Sequence, residues 1–312
     1  MVPLLEIVAS MRRAFAAGAT TFELDVLDPD HGRGLHAGER VEIDGVTYLH
    51  RPFRVWVDLA ERMRLRLRTP RQATPPLVRL VFEPLSIDER TTAAQTTEPT
   101  ERYGTSSPFA RISKLEDPSF VLDMADALER IALPAGARVL DLGVNTGDEL
   151  LLLLELWPAL RDATLVGVDH SASAIAAARE RFANIPGPRV ELHVADLAPP
   201  DALAALNLGR FDLVLSIGTL QSPGLDDRDL LRRIVQDHLT PAGAVLLGIP
   251  NCRYVDGEVE YGTRMKNFSQ PELGLLVKDV AFYRKYLQQH HRQVFVTGKN
   301  YVLVTAVANR ED

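Results

Sequence analysis

The chain has 312 residues, 25% of them charged and 46% hydrophobic, with a formal net charge of −7. This is the make-up of a soluble globular protein long enough for two domains, and its leucine run at 150–154 is far short of the about 20 apolar residues a membrane span needs. A single cysteine, Cys252, excludes a disulfide framework and fits a reducing cytoplasm.

Glu6 and the Arg12-Arg13 pair interrupt any secretory core at the N-terminus. Leu4, Val8, Met11 and Phe15 share one helical face, with Gly18 as the stop, so 3–17 reads as a docking helix. From about 20 to 85 the pattern shortens and alternates. Arg40–Leu49 carries Asp44-Gly45 as a two-residue hairpin turn. Arg54–Leu59, Arg62–Arg68 and Leu77–Phe82 read as further strands, and together they suggest a small antiparallel barrel or sandwich. On that reading Arg62, Arg64, Arg66 and Arg68 line one strand face. They would either track a phosphate backbone or pair with Asp58, Glu61, Glu39 or Glu42 on neighbouring strands.

Residues 86–117, rich in Thr, Ser and Pro, read as a linker or a lid, with Tyr103 and Arg111 as its candidate contacts. The rhythm then becomes strand, helix, strand. Phe120–Ile131 is a helix, 138–142 a strand, and helices fall near 148–158, 172–183, 199–207 and 226–239. Strands at 165–169, 190–194, 211–218 and 243–249 alternate with them. A long helix at 271–290 and an antiparallel pair, 293–297 with 301–307, complete the chain. The charge follows the same division. Residues 1–115 carry 16 Lys/Arg against 15 Asp/Glu, and residues 116–312 carry 19 against 27. The second half as a whole is no magnet for nucleic acid.

The turn after the first of these strands, Val139-Leu140-Asp141-Leu142-Gly143-Val144-Asn145-Thr146-Gly147-Asp148-Glu149, ends an apolar strand in an acid and opens a helix. Its glycines suit close backbone approach to a ligand. A dinucleotide fingerprint would place glycines at 143, 145 and 148. Here 145 is Asn and 148 is Asp, and Asp148 with Glu149 would repel a pyrophosphate. Asp169 ends the second strand about 20 residues on, and Asp196 lies just past the third.

These residues resemble motif I and the succeeding motifs of the class I S-adenosylmethionine-dependent methyltransferases. The resemblance covers about 118–312. It implies a seven-stranded α/β sheet with helices on both faces, to which 1–85 would add a smaller, mainly-β domain. It also implies S-adenosylmethionine as cofactor, with Asp141, Gly143, Asn145 and Gly147 at the methionyl part and Asp169 at the ribose. His170 would lie beside the adenine, Asp196 and Leu197 at the adenine, and Ser216 on the fourth strand where cofactor and acceptor meet. Asn145 departs from the family's usual middle glycine, although Asn tolerates left-handed backbone.

The acceptor is less directly written. The Ser216-Ile217-Gly218-Thr219 stretch lacks the Asp/Asn-Pro-Pro-Tyr signature of base-amine methylation. Asn251, Arg253, Tyr254, Lys266, Tyr283 and Tyr286 are the candidate substrate contacts, in a stretch (253–300) with eight Lys/Arg against five Asp/Glu. Cys252 is a candidate nucleophile or a buried structural thiol. His290 and His291 are the candidate general bases, because imidazole titrates near neutrality. A small anionic metabolite is favoured as acceptor over RNA gripped by the N-terminal domain, with no membrane partner. Other readings are a cofactor-binding sensor or scaffold without catalysis and, by fold, a nicotinamide oxidoreductase.

Overall fold

The computed structural model describes residues 2–32, 34–85, 99–101, 103–261 and 274–309. The chain divides into two units, residues 1–90 with 253–261, and residues 91–252 with 262–312. The hairpin at 253–261 gathers with the first unit, not with 118–252. The described part of the expected linker, from 99 on, gathers with the second.

In the first unit α1 (Leu4–Ala16) buries Ile7 and Met11. Strand β1 (Phe22–Leu27) precedes the hairpin β2 (Arg40–Ile43) and β3 (Val46–Leu49), whose turn residues Asp44 and Gly45 both have positive φ, as a tight hairpin requires. The expected strand at 54–59 is instead helix α2 (Phe53–Met63). Phe53, Trp56, Ala60 and Met63 recur at spacings of three and four, and burying Trp56, Leu59 and Ala60 on one face outweighs the local Val-Trp-Val alternation. Arg64 ends the helix with φ +60°. The expected Arg62–Arg68 strand therefore shrinks to β4 (Leu65–Leu67), with Arg62 left on the helix. Strands β5 (Arg71–Gln72) and β6 (Leu77–Pro84) come next, and β6 pairs antiparallel with β1, β4 and β5. This is an open sheet with helices packed on it, not a closed barrel.

The second unit begins its regular structure with α3 (Pro118–Leu128), capped by the Asp117 carboxylate, which accepts from the Ser119 amide. It continues through β7 (Arg138–Leu142), α4 (Asp148–Leu156), β8 (Thr164–Asp169), α5 (Ala172–Phe182), β9 (Arg189–Val194) and α6 (Ala202–Ala205). Then come β10 (Phe211–Ile217), α7 (Asp227–Arg233) and β11 (Leu239–Pro250). Hairpin strands β12 (Cys252–Val255) and β13 (Glu258–Tyr261), the hairpin of the first unit, are next in the chain, and α8 (Gly274–Gln289), β14 (Arg292–Thr297) and β15 (Tyr301–Ala308) complete the seven-stranded sheet of the second. Its order is β14-β15-β11-β10-β7-β8-β9, with β15 antiparallel to both its neighbours.

Near-continuous Val/Leu/Ile runs form these strands because both faces are covered. Val139, Leu165 and Leu213 pack under α3, α4 and α5. Leu140, Val166 and Val214 pack under α6, α7 and α8 on the other face. The chain adds strands outward from β7 in one direction, then restarts at β10 in the other. The crevice beyond the carboxyl ends of β7 and β10 is therefore the natural ligand position.

Candidate functional site

All the acids expected to hold a cofactor lie in the second unit, at the carboxyl edge of its sheet. The turn after β7 folds back on β8: the Gly143 and Val144 amides donate to the Val168 carbonyl at 2.7 and 3.2 Å. Gly143 has φ +81°, and a Cβ there would stand 1.9 Å from Thr219 Oγ1, which itself donates to the Leu142 carbonyl. Gly147 has φ +88°, and a Cβ would meet the Phe182 ring at 2.4 Å. Both glycines are thus required by packing inside the protein as well as by turn geometry. Asn145 takes the left-handed conformation at φ +46°. Its amide donates to Asp169 Oδ2 at 2.9 Å, its Oδ1 accepts from the Thr146 amide, and its Nδ2 donates to the Tyr103 carbonyl at 2.8 Å. The missing middle glycine is replaced by a residue that knits the turn to β8 and to 99–111.

Asp141 is 1% exposed, and neither of its carboxylate oxygens has a hydrogen-bond partner. Its pKa is raised well above the ordinary carboxylate range, first by burial and then by the neighbouring Glu149 charge, against which Lys114 works. Glu149 is as deeply buried, and its Oε1 accepts from Lys114 Nζ. Burial opposes the charge of Lys114, but Glu149, followed by Tyr301 and Asp148, more than offsets this and raises its pKa. Asp148 pairs with Arg181 at 2.6 Å. Each acid of this helix start therefore has its own cation, which weakens the repulsion that Asp148 and Glu149 were expected to exert on a phosphate. Asp141 is the one acid of the three that no hydrogen bond satisfies.

Asp169, at the end of β8, accepts from the Asn145 and Ser171 amides and is 8% exposed. Beside it Glu101 accepts from the Ser171 and Ser173 hydroxyls at the start of α5, while the Thr105 amide donates to Ser173 Oγ. This holds 99–107 against the ribose-side acid. Tyr103, edge-on to Phe109 at 5.1 Å, lies in that segment, and Arg111 is exposed farther along it. His170 is half-buried with Nε2 enclosed and unpartnered. Asp196 is exposed and closes a turn by accepting from the Ala198 amide, and Leu197 is buried. Ser216 is buried with an unpartnered hydroxyl, but strand alternation puts it on the α7/α8 face, opposite Asp141, whose register partner is Leu215.

The acceptor-side expectations fare differently. His290 and His291 precede β14, whose first residue, Arg292, pairs with Ala308, whereas Thr297 pairs with Leu303 beside Gly248 at the carboxyl edge. They lie six residues of strand from that edge, ~20 Å at about 3.3 Å per residue, so they are not placed as bases. Tyr283 is wholly buried in the helical layer and donates to Asp227 at 2.6 Å, which corrects its expected substrate role. Tyr286 stacks on Phe282 in the same layer. Asn251 lies just past β11 at the carboxyl edge, buried, with Nδ2 donating to the Lys299 carbonyl and Oδ1 unpartnered. Arg253 and Tyr254 lie on the hairpin that gathers with the first unit. Cys252 is half-buried at the start of β12. Lys266 lies outside the described residues.

Residues 139–243 match the family model described as a methyltransferase domain. This part of the chain is a methyltransferase domain of the class I S-adenosylmethionine-dependent kind. This supersedes the oxidoreductase reading. The trans-aconitate 2-methyltransferase of Azoarcus sp. (strain BH72) is 34% identical over 125 residues, 40% of this chain and 44% of that one. That of Variovorax paradoxus (strain S110) is 34% identical over 129 residues, 41% and 44%. The ribosomal RNA small subunit methyltransferase H of Synechococcus sp. (strain CC9605) is 35% identical over 122 residues, 38% and 35%. The matched stretch thus spans less than half the length of each relative. A solved S-adenosylmethionine-dependent methyltransferase from Aquifex aeolicus is 17% identical with a TM-score of 0.44, covering 64% of this chain and 98% of that one.

Among the described residues of this methyltransferase, no helix is long and apolar enough to cross a membrane. The family's cofactor carries a positive charge, and the residues fit it: a buried carboxyl group with neither oxygen hydrogen-bonded, at the switch point next to a left-handed turn. Sequence reasoning missed Lys114, Arg181 and Glu101. Lys114 meets Glu149 across 35 positions of chain, a pairing that no local pattern announces.

Proposed function

We propose that this protein transfers the methyl group of S-adenosylmethionine to a small carboxylate acceptor. The observation that carries the reading is Asp141, a buried carboxylate without a partner at the carboxyl end of β7. An uncompensated buried anion is costly, and a cationic ligand offsets that cost. Asp141 would hold the cationic methionyl part, Asp169 the ribose hydroxyls, and Asp196 with Leu197 the adenine. When bound, the cofactor supplies a methyl group on positively charged sulfur, activated for in-line attack.

The protein's own share is placement and exclusion of water. Fixing two reactants in near-attack geometry can supply up to about 7–11 kcal/mol. The 99–107 segment, fastened by Glu101 to Ser171 and Ser173, restrains the backbone beside the ribose acid. A carboxylate acceptor is deprotonated at neutral pH, its acid titrating near about 4. It needs no general base, which suits the remote position of His290 and His291.

The names of the Azoarcus and Variovorax relatives, trans-aconitate 2-methyltransferases, support this acceptor class. An RNA acceptor gripped by the first unit would have drawn on the arginines around β4. Arg64, Arg66 and Arg68 are instead engaged by Glu260, by Asp256 and Glu258, and by Glu83. The test is transfer of labelled methyl to trans-aconitate, related di- and tricarboxylates, and total RNA. We expect base-labile label, the behaviour of a methyl ester, on a carboxylate. Label confined to RNA sinks the carboxylate reading, and cofactor binding without any transfer points to a sensor.

A further inference from the structure

We infer that the first unit holds a second, separate binding site, a pocket for a small monocarboxylate with an apolar body, built around Arg51. This cation is 8% exposed. Buried guanidinium groups are ordinarily matched by a carboxylate, because stripping the charge of water costs several kcal/mol. Among the described residues Arg51 has no such match. Its Nη2 donates to the Val2 carbonyl at 2.8 Å, and its guanidinium carbon stands 5.4 Å from the Trp56 ring centroid. A guanidinium has five N–H donors, so most of its bonding capacity is unused. Burial depresses its pKa with no acid to counter the effect.

The guanidinium lines a cavity of about 220 Å³ between the β2–β3 hairpin and the sheet edge, walled by Ile7, Leu24, Val26, Leu27 and Tyr48. One acid, Asp25, reaches the same cavity. It is engaged in a forked pair by Arg79, Nε to Oδ1 at 2.7 Å and Nη2 to Oδ2 at 2.9 Å, so it does not neutralise Arg51. The planar fork of arginine matches a carboxylate or a phosphate. The apolar walls select between them, since a carboxylate can carry an aliphatic or aromatic body and inorganic phosphate cannot. Arg292 is buried to the same degree in the second unit, but it lines neither this cavity nor the larger one of the first unit.

The site is tested on the full chain with benzoate, butyrate and inorganic phosphate as probes, by calorimetry and by the Arg51 Nε–Hε resonance. Benzoate or butyrate should bind and move that resonance. Arg51→Gln should weaken binding by at least about tenfold, the worth of one charge-assisted hydrogen bond. Should Arg51→Gln fail to fold, Val46→Trp decides, because Val46 lines the cavity at 51% exposure and its enlargement leaves Arg51 and Val2 intact. It should abolish carboxylate binding with an unchanged melting temperature. No binding of either carboxylate, binding of phosphate alone, or a folded variant that binds as well as the parent overturns the inference.

Discussion

Asp141 in the second unit and Arg51 in the first are both more than nine-tenths buried without a hydrogen bond to an opposite charge, yet their settings differ. Asp141 sits among acids, with Glu149, Asp169 and Asp148 all pushing its pKa up. Around Arg51 are mainly apolar walls, a ring, one carbonyl and a single acid, Asp25, that Arg79 already engages. Elsewhere in the first unit charges are matched across strands, Arg79 with Asp25 and Arg68 with Glu83, in half-exposed pairs of small individual worth. The contrast separates two uses of charge. Matched pairs hold strands in register, whereas a buried group left open is a standing demand for a ligand.

The largest effect is expected where that demand is strongest. Asp141→Asn should weaken S-adenosylmethionine binding about 100-fold, the order of two charge-assisted hydrogen bonds, read by calorimetry. The same change should not lower the melting temperature of the ligand-free protein. Because the folded pKa of Asp141 is raised, the native state binds a proton there more readily than the unfolded chain. This group therefore costs stability as pH rises from the ordinary carboxylate range through its folded value, and a neutral side chain removes the cost. A melting temperature that falls instead would show Asp141 to be structurally matched after all.

Gly147→Ala should cost about 2 kcal/mol in denaturant unfolding, combining positive-φ strain with the Phe182 clash. In the first unit Arg64→Ala leaves Glu260, 4% exposed, without that cation. It should cost about 1–2 kcal/mol, less than a fully buried pair because Arg64 is itself partly solvated. Arg68→Ala, at an exposed pair, should cost under about 1 kcal/mol and sharpens the contrast. Glu101→Ala should weaken cofactor binding roughly three- to tenfold, about one or two net hydrogen bonds, with faster release in stopped flow. His290→Ala and His291→Ala should leave kcat within about twofold, since neither group reaches the transferred methyl from the far edge of the sheet.

The second unit was legible because buried parallel strands write themselves as apolar runs, and acids stand at the edge where ligands bind. Direction and depth were the misleading elements. Tyr283 and the two histidines share one basic, aromatic stretch in the sequence. Only the fold shows that Tyr283 is sealed beneath its helix and that the histidines end at the wrong edge. In the first unit Arg54-Val55-Trp56-Val57 alternates locally, but the longer spacing from Phe53 to Met63 governs, because Trp56 must be buried. The arginines of β4 were expected to pair with nearby strands. Two of them pair with acids almost 200 residues on, at 256–260, which no short-range rule could supply.

That distant pairing bears on how the protein is made. An N-terminal unit ordinarily folds as it leaves the ribosome, before the rest of the chain has emerged. Here the first unit includes residues 253–261, the source of the acids for Arg64 and Arg66. Residues 1–90 must wait, incomplete, while most of the methyltransferase sheet is synthesised. The unit that begins first gains its last two strands, β12 and β13, only after β7–β11, five of the seven strands of the second unit's sheet, have been made.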